Sequence, residues 1–78
     1  MVIWFVRTYD RHVKVYVDHA FDAEKAALGG TPSRSTASGT AFCGERFSGK
    51  PVTSKAGPSL PVCSDCTREI GRIFLGRH

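Results

Sequence analysis

The stretch Pro61-Val62-Cys63-Ser64-Asp65-Cys66 holds two cysteines in the C-x-x-C spacing, and a third cysteine lies upstream in Phe42-Cys43-Gly44. Two thiolates at this spacing can reach one metal ion, because a tight turn brings both sulfurs to one side. Three cysteines are an odd number, so a closed set of disulfides cannot use them all. A structural Zn²⁺ site explains all three, provided that one histidine supplies the fourth ligand.

The chain has three histidines, His12, His19 and His78, and the residues alone leave the choice among them open. We favour His19 because it ends the second predicted strand, from which the chain can fold back to Cys43. His12 falls in the predicted hairpin turn at the far end of that strand. His78 is the last residue and follows the glycine that ends the predicted C-terminal helix.

Two other interpretations of the cysteines remain. A redox dithiol or an iron–sulfur site would also use C-x-x-C, but redox dithiols follow a strand in a thioredoxin-like βαβ unit, which this pattern does not provide. Buried thiols without a metal are the second alternative. The spacing favours zinc, and Gly44 suits a knuckle turn in which backbone N–H groups approach a sulfur closely.

The length of 78 residues predicts one domain with a thin apolar core. Domains of this size often need a staple, and structural zinc contributes ~10–16 kcal/mol of apparent binding free energy in small peptides. The formal charge is +4, and the excess lies in residues 31–78, which carry seven basic and three acidic residues. This basicity is compatible with a nucleic-acid partner but does not require one.

The apolar run Val2–Val6 is too short for a signal-peptide core, and no basic stretch precedes it. No stretch approaches the ~20 apolar residues of a membrane helix. Together with the odd thiol count, these features lead us to expect a cytoplasmic protein that does not enter a membrane.

The sequence predicts that the chain folds as a small α+β domain stabilised by zinc. Residues 1–18 read as a β-hairpin, because Val2–Val6 is rich in β-branched and aromatic residues and valines alternate with polar residues in 13–18. Residues 19–30 contain a predicted short helix, Asp22–Leu28, with Asp22 as N-cap and two glycines after it. Residues 31–39 read as a flexible polar loop.

For the remaining residues, 40–78, the sequence predicts a zinc knuckle, a loop rich in Gly, Pro, Ser and Lys, and a helix that begins at the C-x-x-C pair. Apolar residues at i, i+4, i+7 and i+8 place Cys66, Ile70, Ile73 and Phe74 on one stripe of a helix over Ser64–Leu75. Gly76 ends that helix.

From Thr40 onward the arrangement resembles a treble-clef or zinc-ribbon half. More narrowly, the chain resembles a family of small proteins from actinobacteria and their phages, without an assigned function, which share a His…Cys-Gly…Pro-Val-Cys-x-x-Cys core. The resemblance covers residues 19–75 and runs through His19, Gly30-Thr31-Pro32, Ala41-Phe42-Cys43-Gly44 and Pro61-Val62-Cys63-Ser64-Asp65-Cys66. It implies His19, Cys43, Cys63 and Cys66 as the ligands, and it implies no reaction.

Catalysis is not expected. A Cys₃His site leaves no open position for a metal-bound water, and the acidic residues form no paired arrangement. No glycine-rich phosphate-binding motif occurs, and a chain of this length lacks walls for a substrate cleft.

Two non-enzymatic functions fit the sequence. The first is nucleic-acid binding through phosphate contacts, for which the candidates are Arg46, Lys50, Lys55, Arg68 and Arg72. The alternative interpretation of these cations is a solvated polar face.

The second function, which we prefer, is that of an adaptor or regulatory protein, for example a phage factor that docks on host machinery. Its candidate docking residues are Trp4, Tyr9 and Tyr16, since a two-stranded hairpin has little room to bury them. The strand Val2–Val6 would be a sheet edge that pairs with a partner or with a second copy in a homodimer. The alternative is that Trp4 and Phe5 pack beneath the predicted short helix.

Overall fold

In a computed structural model of the chain, which describes residues 1–55, 57 and 60–76, five strands form one antiparallel sheet that a helix follows. The strand order across the sheet is β2-β1-β5-β4-β3, so the last strand of the chain lies in the middle. The elements are β1 (Ile3–Asp10), β2 (Val15–Asp22), β3 (Ala27–Thr31), β4 (Arg34–Thr40), β5 (Arg46–Thr53) and α1 (Ser64–Leu75).

The N-terminal hairpin is present, and its strands are longer than the sequence predicts. β1 and β2 pair continuously from Ile3 opposite Asp22 to Asp10 opposite Val15. The turn between them is closed by the Asp10 carboxylate, whose Oδ1 accepts the backbone N–H of His12 at 2.8 Å. This long ladder makes β1 and β2 a stable base for the rest of the fold.

The predicted short helix Asp22–Leu28 is wrong. Asp22 does accept a backbone N–H from Glu24 at 3.0 Å, but it closes one tight turn and the chain then enters β3. A helix of two turns forms poorly on its own because nucleation is unfavourable, whereas pairing with β4 satisfies the backbone of Ala27–Thr31. Tertiary pairing therefore overrides the helix propensity of the alanines.

The flexible loop predicted for residues 31–39 is also wrong, because most of it is β4. Thr31 and Arg34 pair across a two-residue turn, and Gly30 has φ +92°, where a Cβ would lie 2.2 Å from the Arg34 carbonyl oxygen. Only glycine fits that position. Ala37 is the buried residue of β4, and the other residues of this strand are polar or glycine. The sequence therefore shows no alternation of apolar and polar residues that would predict a strand.

The segment after the knuckle that was predicted as a loop contains β5. Gly49 and Pro51 lie within this strand, and both residues are untypical of strand interiors, so its sequence did not predict a strand. The four residues from Phe47 to Lys50 oppose the three from Gly39 to Ala37, so β5 carries an extra residue. Gly49, at φ +59°, takes up that residue as a bulge. The irregularity lets Phe47 and Val52, which are five positions apart, both enter the core.

The core consists mainly of alanine and valine side chains around two phenylalanines. Phe21 and Phe47 form its centre, with ring centroids 4.9 Å apart in an edge-to-face arrangement. Trp4 and Phe5 are half-buried against it. The buried members are Val6, Ala20, Phe21, Ala23, Ala37, Ala41, Phe47, Val52 and Cys66.

The C-terminal helix is confirmed over Ser64–Leu75, and Gly76 caps it by donating its N–H to the Arg72 carbonyl at 2.9 Å. Its contact with the sheet is slight: Cys66 is fully buried, Ile70 and Ile73 are half-buried, and Phe74 is 60% exposed. Apolar contacts alone therefore hold this helix only weakly against the sheet.

The expectation that Val2–Val6 forms a sheet edge is wrong, because β1 lies between β2 and β5. The edge strands are β2 and β3. On the β5 side, β1 pairs at Phe5 and Val6, so the backbone groups of these two residues are not free for a partner or a second copy.

Candidate metal centre

His19 lies on β2, opposite Val6 of β1, next to the sheet edge that receives the cysteine segments. Its neighbours Asp18 and Ala20 direct backbone groups outward from that edge. The Ala20 carbonyl accepts the N–H of Phe42 at 2.9 Å. The backbone of Asp18 accepts from Cys63 N at 2.8 Å and donates to the Pro61 carbonyl at 3.0 Å. The backbones of Asp18 and Ala20, on either side of His19, therefore position both cysteine segments.

Cys43 lies in a tight turn between β4 and β5. The Gly44 N–H donates to the Ala41 carbonyl at 2.9 Å, and the Ala41 N–H donates to the Glu45 carbonyl at 2.8 Å. Gly44 has φ +96°, which favours glycine at that position. This turn holds Cys43 beside β2, since the Phe42 N–H donates to the Ala20 carbonyl.

Cys63 and Cys66 lie at the start of α1. Cys63 is the N-cap residue, and its carbonyl accepts the Thr67 N–H at 3.1 Å. Cys66 lies in the first helical turn, with Sγ 3.6 Å from the Ala20 carbonyl oxygen. The positive end of the helix dipole favours thiolates at both positions.

The four side chains converge on one point. The ligand atoms of His19, Cys43, Cys63 and Cys66 all lie within 4.8 Å of one another. The His19 Nδ1 is 3.4 Å from the Cys43 Sγ and 3.8 Å from the Cys66 Sγ. A tetrahedral zinc ion with Zn–S bonds of ~2.3 Å and a Zn–N bond of ~2.0 Å separates its ligands by roughly 3.5–3.8 Å. The group can therefore hold a metal ion after small movements.

All three cysteines are free thiols, and their surroundings differ. Cys43 and Cys63 are half-buried, whereas Cys66 is fully buried. Burial, with a smaller contribution from the neighbouring Cys43, raises the pKa of the Cys66 thiol to about 12. Without a cation this thiol is neutral at pH 7, whereas a coordinated thiol is deprotonated outright. The buried environment of the Cys66 thiol is therefore better suited to coordination of a metal ion than to contact with solvent.

Of the other two histidines, His12 contributes nothing to this group. His12 is exposed in the β1–β2 turn and lies outside the cluster of ligand atoms. His78 lies outside the described residues. The ring of His19 also lines a polar cleft of about 320 Å³, together with His12 and Glu45.

The residue that sequence reasoning missed is Asp18. Its side chain is 3% exposed; Oδ1 accepts the Arg7 Nε–H at 3.2 Å and Oδ2 accepts the Gly57 N–H at 2.7 Å. Because its backbone also holds Pro61 and Cys63, this aspartate ties β1, β2 and the segment before α1 together. Its backbone positions the C-x-x-C pair, and its side chain is not one of the ligand groups of the metal centre.

The candidate contact residues lie apart from the metal centre. Arg46, Lys50 and Lys55 are exposed on or just after β5. Arg68 and Arg72 are exposed on α1 but pair with Asp65 at 3.5 Å and Glu69 at 2.9 Å. The helix arginines therefore offer less net positive charge than their number indicates.

The candidate docking aromatics divide into two environments. Trp4 is half-buried against the core, whereas Tyr9 and Tyr16 are 52% and 54% exposed. The two tyrosines form an edge-to-face pair with centroids 5.3 Å apart. The structure does not bring the three together as one patch with Trp4 exposed.

Comparison of the chain with protein-family models, with curated proteins and with solved structures finds no match. Within the described residues, α1 is too short and too polar to pass through a lipid bilayer, and no other helix qualifies.

Proposed function

We propose that this chain is a non-enzymatic zinc-binding adaptor, in which the metal is structural and the surface docks on a protein or a larger macromolecular complex. The observation that carries the proposal is the convergence of four ligand atoms from β2, the knuckle and the start of α1 within 4.8 Å. A metal at that point would bind the weakly packed helix to the sheet. The adaptor would thus gain a defined surface from a very small core.

Zinc is the metal that this ligand set favours. Three thiolates and one imidazole form a Cys₃His site, which is typical of tetrahedral structural zinc. The knuckle at Cys43-Gly44 and the helix opened by C-x-x-C support a treble-clef or zinc-ribbon-like arrangement. The short His…Cys-Gly…Pro-Val-Cys-x-x-Cys core supports membership in the actinobacterial and phage family.

The absence of catalysis is part of this proposal, and it follows from the number of protein ligands. Four side chains complete a tetrahedral zinc ion, so no position remains for a substrate or an activated water. The polar cleft beside His19 makes this point worth testing, because Glu45 there could otherwise serve a metal-bound water.

Cobalt substitution separates a closed site from an open one. We expect the cobalt-loaded protein to show the visible spectrum of a tetrahedral thiolate site, unchanged by added azide, because no ligand position is free. The same titration of a Cys63→Ala variant is the control, since removal of one thiolate should let azide bind. A spectrum of the unaltered protein that shifts with azide would contradict a purely structural metal.

Exposed apolar side chains support a protein partner. Phe74 and Leu75 at the end of α1 are 60% and 76% exposed, and Leu28 on β3 is 54% exposed. A cavity of about 730 Å³ has Phe42 and Ile73 among its lining residues, together with charged side chains such as Asp22, Glu24 and Lys25. Apolar surface of this kind is typical of a docking surface.

Nucleic-acid binding remains the second candidate function, and a different surface favours it. The face of the sheet that carries Tyr9 and Tyr16 also carries Phe5 and Arg7. Aromatic rings beside a cation on an open sheet are the elements of a base-stacking surface.

A further inference from the structure

The face of the sheet opposite the metal centre carries a row of aromatic and charged side chains. Successive residues of a strand point to opposite faces, so His19 and Asp18 lie on different faces of β2. The pairs Arg7–Asp18 and Tyr9–Tyr16 share the face of Asp18. Phe5 extends the row along β1, and its partner on β5 is Thr53.

A cavity opens in this face. Its volume is about 270 Å³, and its lining residues are Phe5, Arg7, Tyr16, Asp18, Pro51 and Thr53. This volume is just below the ~300 Å³ at which pockets for drug-sized ligands begin, so the cavity suits one planar ring system. The two aromatic rings and the proline supply apolar walls against which such a ring can stack.

The polar part of the cavity is the hydrogen-bonded pair of Arg7 and Asp18. The Asp18 carboxylate is 3% exposed and uses both oxygens, one for the Arg7 Nε–H and one for the Gly57 N–H. The Arg7 side chain is 47% exposed. In the described part of the chain its side chain makes only the Nε bond, which leaves the Nη groups as donors for a ligand.

The charge around this face is positive. Lys14 in the hairpin turn and Lys55 beyond Thr53 are exposed, and within residues 1–55, 57 and 60–76 neither forms an ion pair. Lys50 precedes the cavity residue Pro51 in β5 and therefore points to the other face of the sheet. The acidic Asp10 caps the turn through its side chain. Asp18 is neutralised by Arg7. An anionic ligand with flat rings therefore matches both the walls and the rim.

We propose that this face binds single-stranded nucleic acid, with one unpaired base in the cavity against Phe5 and Tyr16 and a neighbouring base on Tyr9. Arg7 and the surrounding lysines contact the base edge and the phosphates. Only an unpaired base exposes its ring for stacking, so the ligand is a single strand rather than a duplex. This inference deepens the second candidate function and does not depend on the identity of the metal.

The test uses the zinc-loaded full chain and oligonucleotides of about ten nucleotides, a length within the range that one small stacking platform covers. Oligo(dT) and oligo(rU) probes carry an internal 2-aminopurine, whose fluorescence falls when it stacks. We expect saturable quenching that weakens with added salt, and a Tyr16→Ala variant should bind about tenfold more weakly. Comparison of the two probes decides between DNA and RNA.

Two controls keep the inference separate from the fold and from the helix cations. Phe74→Ala removes an aromatic ring of similar exposure from α1 and should bind like the unaltered protein. An Arg68→Ala/Arg72→Ala double variant should likewise retain the quenching. Retained zinc and helical circular dichroism in Tyr16→Ala show that the variant is folded.

Three results would overturn the inference: no binding of either probe up to about 10⁻⁴ M protein, binding that Tyr16→Ala leaves unchanged, or binding that a duplex competes for equally well. If zinc is retained in that case, the adaptor proposal stands and the sheet face is not a nucleic-acid site.

Discussion

Removal of zinc by a strong chelator should unfold this protein at room temperature. Small domains have net stabilities of ~5–15 kcal/mol, and a structural zinc site contributes ~10–16 kcal/mol, so loss of the metal removes about as much free energy as the fold possesses. The helix should be lost first, because Cys66 is its one fully buried residue. Far-UV circular dichroism and thermal melting in the presence of chelator measure the effect.

The control for chelation is recovery of the signal. An equimolar addition of zinc should restore the helical signal and the cooperative melting transition, whereas magnesium should not, because thiolates and imidazole bind it poorly. A Cys66→Ser variant should resemble the chelated protein even with zinc present. A protein that melts at the same temperature with and without chelator would contradict a structural role of the metal.

Replacement of Asp18 by alanine should destabilise the zinc-loaded domain by roughly 2–3 kcal/mol. The substitution leaves the Arg7 guanidinium and the Gly57 N–H without their carboxylate, and hydrogen bonds to a charged group contribute ~1.5–3 kcal/mol. Since Asp18 also lies where the chain docks before Cys63, zinc affinity should fall as well. Chemical denaturation and competition with a zinc chelator measure the two effects.

Asp10→Ala is the matched control for Asp18. This aspartate lies on the same hairpin, and its side chain also accepts backbone N–H groups, but the turn it caps is exposed and its partners His12 and Val13 are not ligand residues. We expect a smaller loss of stability and unchanged zinc affinity. Equal effects of the two substitutions on zinc affinity would show that Asp18 does not position the C-x-x-C pair.

The sequence predicted those parts of the fold whose signals are local. The helix over Ser64–Leu75 follows from its apolar spacing and from Gly76, and the hairpin follows from its β-branched residues. β3 gave no signal because all five of its residues are exposed. β5 gave none because Gly49 and Pro51 interrupt it and because a bulge shifts its periodicity. These strands depend on pairing with distant residues, which local propensity does not encode.

The metal centre was likewise predictable where its signals are local and not where they depend on distant residues. The spacing of Cys63 and Cys66 and the glycine after Cys43 mark the cysteines directly. His19 was preferred because it was expected to end the second strand, and that reason was wrong, since β2 continues to Asp22. Asp18 had no signal, because its partners lie 11 and 39 residues away in the chain. A polar residue in a strand of alternating pattern also predicts exposure, whereas the buried Asp18 carboxylate is bonded by Arg7 and Gly57.

The most direct measurement is the zinc content of the purified protein and of two histidine variants, determined by elemental analysis after dialysis against a weak chelator. The Cys₃His centre predicts one zinc per chain in the unaltered protein and in His12→Ala, and a large loss in His19→Ala. A full complement of zinc in His19→Ala, or a protein that holds no zinc at all, would contradict it.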